Sequence, residues 1–298
     1  MIIKPNIFKA YDIRGIYPEE LNEEVVYKIG KAFVLFLQKK RPRLKKPAIV
    51  VSRDNRISGS FLHKALVKGL LEAGAEVIDI GLASTPMFYF GVAHYGYDGG
   101  IQISASHNPP EYNGLKIVRE KAIPVSGESG LKKIKQIVMG NVPKLRSKKG
   151  NLQRKDILSD YLDFQVKDFD LKKIKPLKII VDTANAVPGI VVAEFFKKID
   201  LSFIHLNANL DGSFPAHPPD PLRPENMKPV QKAVVKYKAD LGVAFDGDGD
   251  RIIFCDEKGQ VISSDIITAL VAKIILSKYP GAKILYDIRS GRITEETI

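Results

Sequence analysis

Gly99-Gly100-Ile101-Gln102-Ile103-Ser104-Ala105-Ser106-His107-Asn108-Pro109-Pro110-Glu111-Tyr112-Asn113-Gly114-Leu115-Lys116-Ile117 runs strand, polar loop, strand. Ile101 and Ile103 alternate with Gln102 and Ser104 behind a glycine pair, the period-two pattern of a strand. Leu115 to Val118 reads as a second strand. Pro109 and Pro110 stiffen the loop between them, and Asn113-Gly114 is expected to turn the chain. A loop tip held by two rigid strands is a common seat of chemistry. This one carries Ser106 and His107, with Lys116 across the turn. A serine hydroxyl becomes a useful nucleophile when a neighbour removes its proton or a cation stabilises its charge. The same residue types, taken singly, also fit an ordinary serine turn followed by an X-Pro loop.

Working outward, Val25, Val26, Ile29, Phe33 and Leu37 share one helical face between Glu23 and Lys40. Ala48–Ser52 is an apolar strand, Ser58–Ala73 a helix stopped by Gly74, and Glu76–Ile80 another strand. Thr85–Tyr95 reads as a helix entered through Pro86. This alternation, leading straight to the Ser106 loop, predicts a parallel sheet with crossover helices. The loop then leaves the carboxyl edge of the sheet, where such folds bind ligands.

Downstream, Lys144–Gly150 has the Lys, Ser and Gly content of a linker, and a helix follows with Ile157, Leu158, Tyr161, Leu162 and Val166. Leu177–Asp182 repeats the theme of Pro47–Asp54: an apolar strand, then a polar turn with Asp. Ala282–Arg289 offers a third copy, so three related α/β units are expected. They divide as 1–149, 150–257 and an incomplete third, 258–298. Past Asp256 the chain offers a short strand near Val261, a helix Asp265–Lys278, a strand Lys283–Tyr286 and a clipped helix. That is too little to cover both faces of a sheet. Ile266, Ile267, Leu270, Val271, Ile274 and Ile275 would then lack cover, and the chain is expected to be truncated in its third domain.

A second polar loop stands at Asp246-Gly247-Asp248-Gly249-Asp250-Arg251, between the apolar runs Leu241–Phe245 and Ile252–Phe254. Three carboxylates at alternate positions of a glycine turn call for a hard divalent cation held by oxygen. An EF-hand also spaces its acids this way, and Glu257 falls at its last ligand position. Arg251, however, stands where that loop needs glycine, and the flanks are strands where an EF-hand needs helices.

Composition sets the outer limits. At 298 residues and 45% hydrophobic content the chain can bury real cores. A single cysteine, Cys255, excludes an intrachain disulfide framework and fits a reducing cytoplasm. Met1–Asn6 lacks the apolar run of a secretory signal, and Ile266–Ala272 is too short to span a bilayer. The net charge of +12 comes from lysine clusters near helix ends and linkers with few aromatics beside them. That pattern points to solvated surface that steers anionic ligands, and away from nucleic acid or membrane.

Ser104-Ala105-Ser106-His107-Asn108-Pro109 closely resembles the phosphoserine loop of the α-D-phosphohexomutase family, and Tyr112-Asn113-Gly114-Leu115-Lys116 is similar to its continuation. Ile7-Phe8-Lys9-Ala10-Tyr11-Asp12-Ile13-Arg14-Gly15 resembles the opening of the phosphomannomutase/phosphoglucomutase branch, Lys9 being the departure. Asp246–Arg251 is similar to the family's metal loop. Asp211–Pro221 resembles a loop of its second domain and receives no catalytic role. The resemblance implies tandem three-layer α/β/α domains with mixed, mainly parallel sheets. It makes Ser106 the phosphoryl carrier and has Asp246, Asp248 and Asp250 bind Mg²⁺ together with a phosphate oxygen on Ser106. Tyr11, Arg14, Lys116 and Arg251 would face substrate. Arg14, His107 and Lys116 would share proton handling and phosphate orientation, with the jobs undivided.

The implied reaction interconverts hexose 6-phosphate and hexose 1-phosphate, of mannose or glucose, through a hexose 1,6-bisphosphate. A phosphosugar is the expected partner, and the chain is expected as monomer or dimer. The alternatives are a phosphoglucosamine mutase, whose opening typically reads Gly-Thr-Asp-Gly-Ile-Arg-Gly, or a metal-binding phosphoprotein that does not turn over. The resemblance would place the family's sugar-choosing loop and its phosphate-clamping fourth domain after Ile298. Sugar choice is therefore unread, and little turnover is expected from these residues alone.

Overall fold

The computed structural model describes residues 3–140, 149–288 and 290–298. Most of the expected linker at Lys144–Gly150, and Arg289 at the end of the third expected copy, lie outside the described residues.

The first sheet begins with β1 (Ile13–Ile16) and gains its order from the elements that follow. α1 (Glu23–Lys40) starts at Asn22, whose side-chain oxygen accepts from the Val25 amide at 3.2 Å. Glu23 and Glu24 in its first turn and Lys39 and Lys40 in its last complement the helix dipole. Then come β2 (Ala48–Arg53), α2 (Gly59–Glu72), β3 (Glu76–Leu82), α3 (Thr85–His94) and β4 (Gly99–Ile103). β5 (Tyr112–Arg119), β6 (Ile123–Pro124), α4 (Lys132–Met139) and β7 (Leu152–Arg154) complete it. The strand order is β1-β5-β4-β2-β3-β7, with β6 paired to β5. β4, β2, β3 and β7 run parallel, while β5 is antiparallel to both β4 and β1.

Strand periodicity sorts the core into two layers. Ile49, Val51, Ile101 and Ile103 pack with Val26, Phe33, Leu62 and Leu66 of α1 and α2. Val50, Ile78 and Ile80, pointing the other way, pack with Met87, Phe88 and Val92 of α3. Each such fully buried side chain contributes about 1.5–3 kcal/mol.

The second body repeats the plan. It comprises α5 (Leu158–Val166), β8 (Lys178–Asp182), α6 (Pro188–Ile199), β9 (Ser202–Leu206), α7 (Pro224–Tyr237), β10 (Leu241–Phe245), β11 (Ile252–Cys255) and β12 (Val261–Ile262). The order is β12-β11-β10-β8-β9, with β10, β8 and β9 parallel and β11 antiparallel to β10. Ile180 and Ala244 face Val230 and Val234 of α7, while Ile179, Val181 and Val243 face Val192 and Phe196 of α6. Both bodies are therefore three-layer α/β/α sandwiches.

Three sequence expectations change. Asn113-Gly114 is no turn: both residues lie inside β5, opposite Gly15 and Arg14. Glycine is needed because a Cβ there would sit 2.5 Å from the Ile13 carbonyl and 2.6 Å from that of Ser104. The Asn-Gly signal reports a close backbone approach. The segment beyond residue 149 does not separate cleanly, since β7 pairs with β3 and Ile157 and Tyr161 are buried beside Phe88 and Phe90. Lys283–Tyr286 forms no strand, because no neighbour among the described residues pairs with it, and Leu285 is 97% exposed. α8 (Ser264–Lys278) packs on α9 (Ile293–Thr297) and buries Ala269 and Ala272, while Leu270 and Val271 remain about half exposed.

Candidate active site

Each sheet sends out one polar loop from the same topological place. Ser104–Glu111 joins parallel β4 to antiparallel β5, and Asp246–Arg251 joins parallel β10 to antiparallel β11. Both loops leave the carboxyl edge of a parallel strand, and the two edges meet. The Ser106 hydroxyl donates to Asp246 Oδ2 at 2.7 Å across 140 positions of sequence. Gly247 lies so close to the serine loop that a Cβ on it would sit 2.3 Å from the Ser106 carbonyl oxygen.

Ser106 is buried and has φ of 53°, in the left-handed region that side chains disfavour. Its amide donates to Ser104 Oγ at 3.0 Å, so Ser104 serves the turn. His107 Nδ1 stands 3.3 Å from Ser106 Oγ. Burial, followed by the charge of Arg251, lowers the His107 pKa, which favours the neutral ring. The carbonyls of Ser106 and Asn108 accept from Arg56 Nη2 at 2.8 and 2.6 Å.

The aspartates gather as their spacing suggested, with one oxygen from each of Asp246, Asp248 and Asp250 lying within 4.8 Å of the others. Burial, then the charges of Asp248 and Asp250, push the Asp246 carboxyl up to about 8. Burial acts the same way on Asp248, but the charge and hydrogen bond of Lys116 outweigh it and hold that carboxyl below its usual range. Lys116 Nζ lies 2.6 Å from Asp248 Oδ2 and also pairs with Asp250. Burial lowers the Lys116 pKa, and the two carboxylates more than reverse that, keeping the ammonium charged. The Thr85 hydroxyl lies 2.7 Å from Gln102 Oε1 and against Asp248 Oδ2, while the Thr85 amide donates to the Asp248 carbonyl at 2.8 Å.

Asp246 and Asp248 are buried and Asp250 is exposed, with the Lys116 ammonium paired to Asp248 and Asp250. Asp248 Oδ1 is buried with no hydrogen-bond partner among the described residues. An orphaned carboxylate oxygen among hard oxygen donors fits a divalent cation such as Mg²⁺.

The structure thus brings Ser106, His107, Lys116, Asp246, Asp248 and Asp250 together. Arg14 joins at one remove: it donates to Asn108 Oδ1 at 2.6 Å and to Asp12 Oδ2 at 2.8 Å. It borders a cavity of about 570 Å³ lined also by Lys9, Asp12, Asn108 and Tyr112. Arg251 is tied to the metal loop by its backbone, its amide donating to Asp246 Oδ1 at 3.1 Å. Tyr11 is 81% exposed and has no polar contact among the described residues. Sequence reasoning missed Arg56 and Thr85. Arg56 lay between the strand and polar turn ending at Asp54 and the helix expected from Ser58, and Thr85 in the start of a helix. Their one usable signal was position, since both follow parallel strands at the edge that carries the Ser106 loop.

The family model described as phosphoglucomutase/phosphomannomutase, alpha/beta/alpha domain I, matches residues 5–142, and the corresponding domain II model matches residues 159–259. A phosphomannomutase of Escherichia coli strain K12 is 41% identical over 302 residues, a match covering 99% of this chain and 65% of the relative. A phosphomannomutase/phosphoglucomutase of Pseudomonas aeruginosa is 38% identical over 289 residues, covering 96% of this chain and 60% of the relative. The crystal structure of a phosphoglucomutase/phosphomannomutase family protein from Burkholderia thailandensis superposes with a TM-score of 0.89 at 34% identity, covering 99% of this chain and 65% of that one. The chain thus spans about 65% of the length of the Escherichia coli relative. With both sheets, both loops and both family models in register along the sequence, the chain belongs to the phosphoglucomutase/phosphomannomutase family.

Proposed function

We propose that this chain carries the phosphoryl-transfer centre of a hexose phosphate mutase acting on mannose or glucose phosphates. The observation that carries the reading is the 2.7 Å contact between Ser106 Oγ and Asp246, made inside a carboxylate set with an orphaned oxygen. The names of the Escherichia coli and Pseudomonas aeruginosa relatives supply the sugar class. In this reading residues 1–149, with β7 completing their sheet, provide the carrier loop, the rest of 150–257 provides the metal loop, and 258–298 belong to a third unit.

Ser106 carries the phosphoryl group. In the forward half-reaction the bond from phosphorus to Ser106 Oγ breaks as a sugar hydroxyl oxygen bonds to the same phosphorus. The sugar hydroxyl gives up its proton to a neighbouring base, and Ser106 leaves as an alkoxide that regains a proton. In the return half-reaction the other phosphate of the resulting hexose 1,6-bisphosphate passes back to Ser106. His107 Nδ1, 3.3 Å from Ser106 Oγ, is placed to hold that proton. Asp246, Asp248 and Asp250 would hold Mg²⁺, together with a phosphate oxygen on Ser106. When bound there, the cation neutralises charge that moves between serine and sugar oxygens. Lys116 keeps the charge of Asp248 and Asp250 in check, and Arg14, fixed to the serine loop through Asn108, orients phosphate in the adjoining cavity. Arg251 and Tyr11 meet the sugar from the rim.

The test is to incubate the chain with Mg²⁺ and glucose 1,6-bisphosphate, map the phosphate, then add mannose 6-phosphate or glucose 6-phosphate. The reading predicts one phosphoryl group on Ser106, removed by either hexose phosphate with formation of a bisphosphate. Phosphate that loads but resists the chase would mark a phosphoprotein, and no loading would refute the carrier role.

A further inference from the structure

Arg56 is the largest fully buried side chain of the protein among the described residues, and all five of its guanidinium N–H groups have a use. Nη2 donates to the carbonyls of Ser106 and Asn108 at 2.8 and 2.6 Å. Nη1 donates to those of Pro109 and Tyr112 at 2.6 and 3.0 Å, and Nε reaches Asp54 Oδ2 at 3.3 Å. One side chain from just after β2 therefore ties down three carbonyls of the serine loop and that of Tyr112 at the start of β5. Asp54, itself buried, balances its charge.

What closes this pocket comes from the other body. The Asp211–Pro221 loop between β9 and α7 lays the Phe214 ring over the guanidinium, 5.1 Å from ring centroid to Cζ. Phe214 is 6% exposed and is held at φ of 54°, an unfavourable conformation for so bulky a residue. Its turn is fixed by Asp211, whose carbonyl accepts from the Phe214 amide at 3.0 Å and whose Oδ1 accepts from the Ser213 amide at 2.9 Å. Gly212 rides on the Arg56 segment so tightly that a Cβ would sit 2.4 Å from the Asn55 carbonyl and 2.9 Å from Arg56 Cα. Asn55 answers by donating to the Asn185 carbonyl at 2.8 Å.

We propose that Arg56 is the positioning residue for the phosphoryl carrier and that Phe214 is its seal. The second body then acts twice on Ser106, once through the aspartates it presents and once through the ring it lays on Arg56. The physical reason is dielectric. Covered by Phe214, the guanidinium exchanges no bonds with water, so each bond to the serine loop gains strength and Ser106 is held in its left-handed conformation. The proposal gives the Asp211–Pro221 loop a task that needs no contact with substrate. It rests on the mutase reading for its kinetic consequence, though not for its structural one.

Arg56→Lys supplies three donors where five are used, and Phe214→Leu leaves every hydrogen bond in place while removing the cation–π face. The first readout is amide hydrogen exchange. Exchange should quicken at residues 104–112 in both variants, with the α1 and α7 amides and Mg²⁺ affinity unchanged. The second is Ser106 loading by glucose 1,6-bisphosphate. The saturating rate should fall about 100-fold in Arg56→Lys and about tenfold in Phe214→Leu. The half-saturating concentration should hold in both. Loop exchange indistinguishable from the parent chain overturns the proposal, whether or not the parent takes up phosphate. A parent chain that does not load refutes the mutase reading instead, and exchange alone then decides the positioning claim. Should Arg56→Lys fail to fold, Phe214→Leu decides it.

Discussion

The serine loop and the metal loop occupy equivalent places in two similar sheets, yet their backbones are shaped in different ways. The metal loop relies on its own glycines, with outside support from the Thr85 amide on the Asp248 carbonyl at 2.8 Å and from the Pro219 carbonyl on the Gly247 amide at 3.1 Å. Gly247 leaves room for the Ser106 carbonyl, Gly249 takes φ of 73°, and the Gly249 amide closes onto the Asp246 carbonyl at 3.1 Å. Within the serine loop no glycine relieves the backbone, and Ser106 takes the left-handed conformation itself because glycine would remove the hydroxyl. Its restraint comes from outside, chiefly from Arg56, fifty positions upstream. Glycines let the metal loop take its turn without strain, whereas the strained Ser106 turn is held by a side chain from elsewhere in the fold.

Changing Ser106, the proposed carrier, should have the largest effect. Ser106→Ala should abolish phosphate uptake in the loading assay, while Ser104→Ala, which removes the acceptor for the Ser106 amide and a hydroxyl hydrogen-bonded to Asp54, should slow it. A mild Ser106→Ala beside a dead Ser104→Ala would reverse the roles. On the metal side, Asp248→Asn keeps shape and removes one charge, so Mg²⁺ affinity by calorimetry and the transfer rate should fall together by about 100-fold. Ca²⁺, with its longer and looser coordination, should bind and support transfer poorly, and equal rates with the two ions would contradict the metal role.

Gly247→Ala probes where the loops touch. The new methyl must push the Ser106 carbonyl away, at a cost of about 1–3 kcal/mol in thermal unfolding. Transfer should fall with it although every functional side chain remains. Lys116→Met is the gentlest change and separates binding from chemistry. Losing the competing ammonium should tighten Mg²⁺ by about tenfold, while transfer slows. Weaker Mg²⁺ binding in that variant would show that Lys116 supports the cation site and does not compete with it.

These differences also mark what the sequence could reveal. The β2–α2–β3–α3–β4 succession was readable because each element carries its own periodicity, and the observed α1 keeps the bounds Glu23–Lys40. The aspartate cluster was readable because its three members sit in one hexapeptide. Arg56 and Thr85 were not, since their partners lie on loops far along the chain and a charged turn after a strand is ordinarily solvated. Asn113-Gly114 misled for a related reason: the close approach that demands glycine there is made by Ile13 and Ser104, which local pattern cannot see. Lys283–Tyr286 has a strand's composition, and composition alone supplies no pairing partner.

Mg²⁺ affinity, measured by calorimetry on the chain before and after Ser106 is phosphorylated, tests most directly whether two loops from two sheets form one site. The phosphate would stand beside Asp246, 2.7 Å from the serine oxygen, and add charged oxygens to the same donor set. The account predicts markedly tighter Mg²⁺ binding to the phosphorylated chain, an increase that is lost in Asp246→Asn. Equal affinity in the two states would contradict it.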